Sequence, residues 1–317
     1  MPNILIAGEL HPSGLEIIKQ NPKYSIDYLK EVSNENFLPY LKNADALIIR
    51  TQTLKKNHIE KAKKLKIVSR HGVGYDNVDY QELKKRNIPL TIVGDVNSTS
   101  VSEHTMMLII SVFKKIILAD FSTRNSLWNY RNNYEPRELY GKNLLIIGFG
   151  RIGKKLGKLA KAFGMNIHVY DPYIQNKFDE YEIRHFQNLT TALCNADCIS
   201  LNLPKVDKPI ITKENSQYLK HGVVIINTAR GELIEEKVLQ DGIQKGVISG
   251  VGLDVFDSEP VEKNHFLFKY KQVIFTPHQA GLSQEAAQRM SIKSINNILD
   301  YYDGSLDSSL IVNGVKI

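Results

Sequence analysis

Three side chains far apart in the sequence, Arg230, Glu259 and His278, have the types that acid–base chemistry on a small anion requires. Each follows an apolar run that reads as a strand: Val223–Asn227 before Arg230, Ser249–Leu253 before Glu259, and Val273–Phe275 before His278. An imidazole moves its proton near neutral pH. A guanidinium offers a planar fork that matches a carboxylate. A carboxylate beside the imidazole holds one tautomer and favours its protonated form. His278 alone would read as an incidental histidine. Its convergence with Arg230 and Glu259 at strand ends, the edge where parallel sheets bind ligands, points to catalysis.

A second signal lies upstream. Leu144-Leu145-Ile146-Ile147 runs into Gly148-Phe149-Gly150-Arg151-Ile152-Gly153, and a helical pattern follows. Between a strand and a helix, this G-x-G-x-x-G spacing is a dinucleotide fingerprint. Gly148 makes the tight turn, Gly150 admits a pyrophosphate, and Gly153 lets helix and strand pack closely. The helix N-terminus adds free N–H groups and a positive dipole end. Asp171, 18 residues after Gly153, ends the next strand. A carboxylate there accepts bonds from ribose hydroxyls and repels a 2′-phosphate, so the expected cofactor is NAD.

The elements that position these residues form an alternating series. Strands are expected at Ile4–Ala7, Ala46–Ile49, Ile67–Ser69, Leu144–Ile147, Ile167–Tyr170, Cys198–Leu203 and the three runs above. Helices are expected at Gly14–Lys19, Glu35–Leu41, Tyr80–Arg86, Ile152–Phe163 and Glu235–Lys245. That alternation predicts an α/β class with doubly wound parallel sheets. One long, mostly buried helix is expected from Ser100, as N-cap with Glu103 completing a capping box, to about Arg124. Another pattern runs from Ser283 to about Tyr302. Residues 1–98 plus 293–317 then form one discontinuous domain around an inserted NAD-binding Rossmann domain, 99–292, that carries the dinucleotide fingerprint.

Composition narrows the class. The 317 residues are 42% hydrophobic and 24% charged, ordinary for globular protein, and their number suggests two domains. The most apolar stretch, Met106 to Phe113, is far below the ~20 residues of a spanning helix, so no membrane association is expected. The N-terminus shows no signal-peptide pattern. Cys194 and Cys198 read as buried thiols, which suits a cytoplasmic location. The net charge of +7 is scattered along the chain, and the densest segment, Lys55 to Lys66, reads as a solvated helix face. A small anionic substrate suits that field better than nucleic acid. No metal-ligand spacing is present; Asp76 and Asp79 read as turn and helix-cap residues, His71 and His104 as hydrogen-bonded structural histidines, and Trp128 as packing.

With these residues in view, the chain resembles the D-isomer-specific 2-hydroxyacid dehydrogenases over essentially its whole length, nearest to short phosphoglycerate dehydrogenases without a regulatory domain. The matching stretches are His71-Gly72-Val73-Gly74-Tyr75-Asp76-Asn77-Val78-Asp79, Gly148 to Gly153, Asn227 to Gly231, Leu253 to Pro260, and Pro277 to Gly281. The resemblance implies two Rossmann-like domains with a cleft between them, residues 1–98 plus 293–317 being a substrate-binding (flavodoxin-like) domain, and a homodimer formed through the NAD domain and its long helix. It implies that Arg230 binds the substrate carboxylate and carbonyl, that His278 is the acid/base, and that Glu259 raises its pKa. Backbone amides around Gly72, Val73 and Gly74 would hold the substrate carboxylate. Asp254 would contact the nicotinamide carboxamide, and Arg151, Ile152, Pro204, Thr228, Ala229 and Gly281 complete the implied cofactor set.

The substrate is less sharply indicated. Arg50 and Arg70 end neighbouring strands and resemble the basic residues with which phosphoglycerate dehydrogenases bind a 3-phosphate. If they act so, 3-phosphoglycerate and phosphohydroxypyruvate are the leading pair. If they are ordinary strand-end arginines, glyoxylate, hydroxypyruvate or another short 2-keto acid takes their place. The end of the chain at Ile317 leaves no room for a C-terminal regulatory domain, so serine feedback is not expected. An alternative of another class is a non-enzymatic, NAD-sensing binding protein, similar to the corepressors that share this fold.

Overall fold

Continuous Ile, Leu and Val runs in this chain become parallel strands buried on both faces. The computed structural model describes residues 1–33, 36–174 and 183–317. It divides the chain into two units, Met1–Asn97 with Leu282–Ile317, and Ser98–Gly281.

In the first unit the order is β1 (Asn3–Ala7), α1 (Pro12–Lys19), β2 (Ser25–Leu29), α2 (Leu38–Leu41), β3 (Ala46–Ile49), α3 (Lys56–Lys61), β4 (Ile67–Arg70), α4 (Tyr80–Lys85) and β5 (Leu90–Thr91). The five strands lie parallel in the order β2-β1-β3-β4-β5, the flavodoxin-like arrangement whose switch point falls between β1 and β3. Asp79 caps α4, its Oδ1 accepting from Glu82 N at 3.0 Å. Two strands escape the sequence reading. Ser25-Ile26-Asp27-Tyr28-Leu29 is a half-buried edge strand with no clean apolar run, and β5 has only two residues. The helix expected from Glu35 begins, within the described residues, at Leu38; Glu35 itself lies outside them.

The second unit opens with α5 (Ser98–Lys114) and α6 (Ile116–Arg124). It continues through β6 (Asn143–Ile147), α7 (Arg151–Ala162), β7 (Asn166–Tyr170), β8 (Arg184–His185), α8 (Leu189–Cys194), β9 (Cys198–Leu201), β10 (Val223–Asn227), α9 (Glu236–Gln244), β11 (Ile248–Leu253) and β12 (Val273–Phe275). Its seven parallel strands run β12-β11-β10-β9-β6-β7-β8. Successive residues of one strand serve opposite faces: Leu145 and Ile147 pack with Leu193 and Leu239, Leu144 and Ile146 with Phe113 and Leu156. Helices therefore cover both sides. Two-residue β8 was not foreseen, and the strand expected over Cys198–Leu203 ends at Leu201.

The single long helix expected over Ser100–Arg124 is two helices. Lys115 adopts a left-handed conformation, φ 54°, and its Nζ donates to Ser249 O at 3.3 Å. Ser100 is not the N-cap but a buried residue inside α5, donating to Ala280 O at 2.7 Å. Nor is the stretch uniformly buried: Leu108, Ile109 and Phe113 are fully enclosed, whereas Met107, Ile116 and Ile117 are exposed. Trp128, read as packing, is 65% exposed. Of the two cysteines, both free thiols, Cys198 is buried but Cys194 is not.

The chain returns to the first unit as α10 (Gln284–Asp303), capped by Ser283, whose Oγ accepts from Ala286 N at 3.2 Å. The return falls at residue 282, not at 293 as the sequence pattern suggested, because α10 is anchored from its second turn onward. Ser291 Oγ donates to His11 O at 2.9 Å, and Ser69 Oγ donates to Ser294 O at 2.9 Å. Asn297 Nδ2 donates to Ile92 O at 3.0 Å. Beyond it, Asn313 donates to Ile88 O and accepts from Leu90 N, closing the β5 edge.

Candidate functional site

The glycine turn sits at the switch point of the larger sheet, between β6 and β9. Gly148 has φ +88°, and a Cβ there would meet Asn202 O at 2.7 Å. A Cβ on Gly153 would fall 2.4 Å from Gly148 O, so only glycine lets α7 start against the turn. Around Gly150, at the N-cap of α7, the space is open. Asp171 closes this group: buried, its Oδ2 accepts from Phe149 N at 2.8 Å and its Oδ1 from Tyr173 N at 3.0 Å. A helix N-terminus, an open backbone cradle and a carboxylate tied to the same turn fit the pyrophosphate and adenosine ribose of a dinucleotide.

Along the same carboxyl-terminal sheet edge, the structure brings Arg230, Glu259 and His278 together. His278 Nδ1 lies 2.6 Å from Glu259 Oε2, and Glu259 Oε1 accepts from Phe256 N at 3.1 Å. Burial would raise the Glu259 carboxyl. The hydrogen bond and charge of His278, the Phe256 N–H and the positive charge of Arg230 outweigh that and hold it below the ordinary carboxylate range. Arg230 leaves β10 through Asn227, whose Nδ2 donates to Arg230 O at 2.7 Å and whose Oδ1 accepts from Ala229 N at 3.1 Å. Arg230 Nη1 donates to Ala229 O at 2.6 Å. Thr228 Oγ1 pairs with Thr105 Oγ1 on α5 at 2.8 Å.

Asp254, expected to touch the cofactor, faces inward. Its side chain is 0% exposed. Oδ1 accepts from Gln279 N at 2.9 Å and from Thr276 Oγ1 at 2.5 Å, and Oδ2 accepts from Ala280 N at 2.9 Å. Its backbone O accepts from His278 N at 2.9 Å. The carboxylate thus grips the segment on both sides of His278, which has a positive φ of 50°. Sequence reasoning missed Thr276 in this role; its place two residues before His278, just past β12, was the available signal. His104, read as a hydrogen-bonded structural histidine, reaches this group through Thr276 Oγ1 at 3.0 Å.

The first unit carries its own cluster at its own switch point. Arg50 follows β3, Arg70 closes β4, and Ile49 and Arg70 are register partners. Arg50 Nη1 donates to Glu9 O, and Arg70 Nη1 to His71 O at 2.7 Å. His71 is 6% exposed. Burial, then the charges of Arg50 and Arg70, push its imidazole down to about 3, so it is neutral at physiological pH. Its ring is hydrogen-bonded to its own backbone, in keeping with the bonded histidine the sequence suggested, while its Nε2 has no hydrogen-bond partner among the described residues. The turn to Gly72 is made by Gly72 N donating to Arg70 O at 2.8 Å.

A doubly wound sheet with a glycine turn at its switch point, and a histidine in contact with a carboxylate on the same edge, defines a dinucleotide-binding class of protein with groups suited to acid–base chemistry. Residues 106–280 match the model of the D-isomer specific 2-hydroxyacid dehydrogenase, NAD binding domain. The chain belongs to this family, and its second unit is an NAD-binding domain. It is 38% identical over 293 residues to the D-3-phosphoglycerate dehydrogenase of Methanocaldococcus jannaschii, covering 91% of this chain and 55% of that relative. The chain thus spans about half the length of that protein. A glyoxylate reductase of Korarchaeum cryptofilum is 29% identical, covering 98% of this chain and 96% of its own. A crystal structure of a Pyrococcus horikoshii protein, 29% identical, superposes with a TM-score of 0.80 over 99% of this chain and 96% of that one.

The geometry around Asp171 generates a binding test. Hydrogen bonds to a charged group contribute about 1.5–3 kcal/mol each. Asp171→Ser should therefore weaken NADH binding by roughly 10–100-fold and narrow the preference over NADPH, read from nicotinamide fluorescence.

Proposed function

We propose that the protein is an NAD-dependent dehydrogenase acting at C2 of a D-2-hydroxy acid or its 2-keto acid, with 3-phosphoglycerate and phosphohydroxypyruvate as the leading pair. The observation that carries this reading is the 2.6 Å contact of His278 with Glu259, on the sheet edge that also holds the glycine turn and Arg230.

The chemistry follows from the side chains. The ionised Glu259 only accepts, so His278 carries its proton on Nδ1 and presents Nε2 as the base. Nε2 takes the hydroxyl proton as C2 is oxidised and returns it when the keto acid is reduced. Glu259 stabilises the imidazolium formed in between. Arg230 binds the carboxylate and polarises the carbonyl oxygen. Gly148–Gly153 would hold NAD, with Asp171 at its ribose, and the bound cofactor would supply the hydride acceptor or donor. Acid–base assistance of this kind contributes ~10²–10⁴-fold. The remaining implied contacts, Arg151, Ile152, Pro204, Thr228, Ala229 and Gly281, belong to the same proposed cofactor site, while Asp254 acts by holding the His278 segment.

For the first unit we assign substrate anion binding, with amides around Gly72, Val73 and Gly74 on the carboxylate and Arg50 and Arg70 on a distal phosphate. Two guanidinium charges close enough to act on one buried imidazole support it. A glyoxylate or hydroxypyruvate reductase is the second reading, favoured by the nearly full-length match to the Korarchaeum enzyme.

A homodimer built on the second unit is also proposed. Met107, Ile116, Ile117, Phe121, Leu127 and Trp128, on α5, α6 and the segment after them, are 40–65% exposed, an apolar surface of the kind that marks association sites. Among the described residues no helix is long and apolar enough to cross a membrane. The free thiols of Cys194 and Cys198 support a cytoplasmic location.

Three outcomes are expected. In NADH oxidation with phosphohydroxypyruvate, hydroxypyruvate, glyoxylate and pyruvate, Arg50→Ala and Arg70→Ala should raise KM at least 10-fold for the phosphorylated substrate alone. An equal loss on all four would remove the phosphate role, and no turnover by wild type would favour the NAD-sensing alternative. Glu259→Gln removes the anion that favours the imidazolium, so the alkaline limb of the keto-acid reduction profile should move to lower pH. Ile117→Glu should convert the dimer to monomer in light scattering coupled to gel filtration.

A further inference from the structure

His104 on α5 is the point where an interior polar chain begins. Its Nε2 lies 3.0 Å from Thr276 Oγ1 and 3.6 Å from Asp254 Oδ1, with its side chain 13% exposed. Thr276 Oγ1 in turn lies 2.5 Å from Asp254 Oδ1. A carboxylate has no proton to give, so the Thr276 hydroxyl hydrogen is committed to Asp254 and the hydroxyl oxygen can only accept. Nε2 of His104 must therefore carry the N–H. The chain has one direction: His104 N–H to Thr276 O–H to the Asp254 carboxylate.

Its far end is the group that grips both sides of His278. Two further contacts tie the same helix to the catalytic loops. Ser100 Oγ donates to Ala280 O at 2.7 Å, two residues beyond His278. Thr105 Oγ1 pairs with Thr228 Oγ1, two residues before Arg230. Helix α5 is thus a strut pinned to the loop of the base and to the loop of the guanidinium. We infer that His104 is a positioning residue for the reaction: as terminal donor of this relay it fixes the hydroxyl of Thr276, and through Asp254 it fixes the placement of the His278 imidazole. Burial, working against the attraction of Asp254, lowers the His104 pKa, which favours the neutral imidazole that the relay uses. A base displaced by about 1 Å is enough to cost on the order of 10²-fold in rate.

The inference rests on the dehydrogenase reading, and the test separates the two. His104→Leu and Thr276→Val remove links; His104→Gln keeps an N–H donor and Thr276→Ser keeps the hydroxyl. With the best keto acid of the panel and NADH, the first pair should lose roughly 10–100-fold in kcat, with NADH affinity within about twofold of wild type. The second pair should recover most of the rate. Thermal melts confirm that each variant is folded. A His104→Leu enzyme with wild-type kcat, or a Gln variant as impaired as Leu, overturns the relay while leaving the dehydrogenase intact. An arm that needs no turnover is long-range ¹H–¹⁵N correlation of the imidazoles. His104 should show the Nε2–H tautomer, and His104→Leu should shift the His278 resonances. An Nδ1–H tautomer at His104 overturns the inference even if no keto acid is a substrate.

Discussion

A carboxylate removed completely from water has to be met by donors, and Asp254 is in that position. Leaving such an ion unpaired costs several kcal/mol, whereas each hydrogen bond to it returns about 1.5–3 kcal/mol. The donors available are the Thr276 hydroxyl and the amides of Gln279 and Ala280. Satisfying Asp254 therefore dictates the backbone path of residues 276–280. That path includes the positive φ of His278, a conformation that persists only where its surroundings over-determine it. The buried charge explains why the histidine stands where Glu259 can meet it.

Both units place the residues proposed to bind ligands in the same way. A parallel sheet reverses its winding direction once, and the loops leaving the two central strands there diverge and expose backbone and side chains. In the second unit that point holds Gly148 and the start of α7. In the first it lies between β1 and β3, where Arg50 reaches the carbonyl of Glu9, just past β1. The two edges differ in what they would offer an anion. The glycine turn offers a helix N-terminus and open backbone, suited to a pyrophosphate. The first unit offers two guanidinium groups around a neutral imidazole, suited to a compact, highly charged group.

Much of this was legible because the signals were local. Fully buried parallel strands such as Ile4–Ala7 and Val223–Asn227 are unbroken apolar runs, and the glycine motif states its turn in six residues. Edge strands carry no such mark: Ser25–Leu29 alternates polar and apolar residues and is only half buried. The break at Lys115 was hidden for a different reason. Lysine is a good helix former, and its left-handed geometry is accompanied by a bond to Ser249, 134 residues away. Ser100 and Glu103 matched a capping box by spacing, yet the helix had already begun at Ser98 and the Ser100 hydroxyl serves Ala280 instead.

By itself, then, the sequence determined the α/β class, the dinucleotide turn and the residue types at three strand ends, because these depend on hydrophobic period, glycine sterics and side-chain chemistry within a few neighbours. Only the tertiary structure decided that Asp254 faces the His278 segment, that His104 ends a polar relay, and that His71 is neutral between two arginines. Each of these depends on burial and on partners supplied by other elements, and the energy of a charge or a proton is set by that enclosure. No local pattern in the chain encodes it.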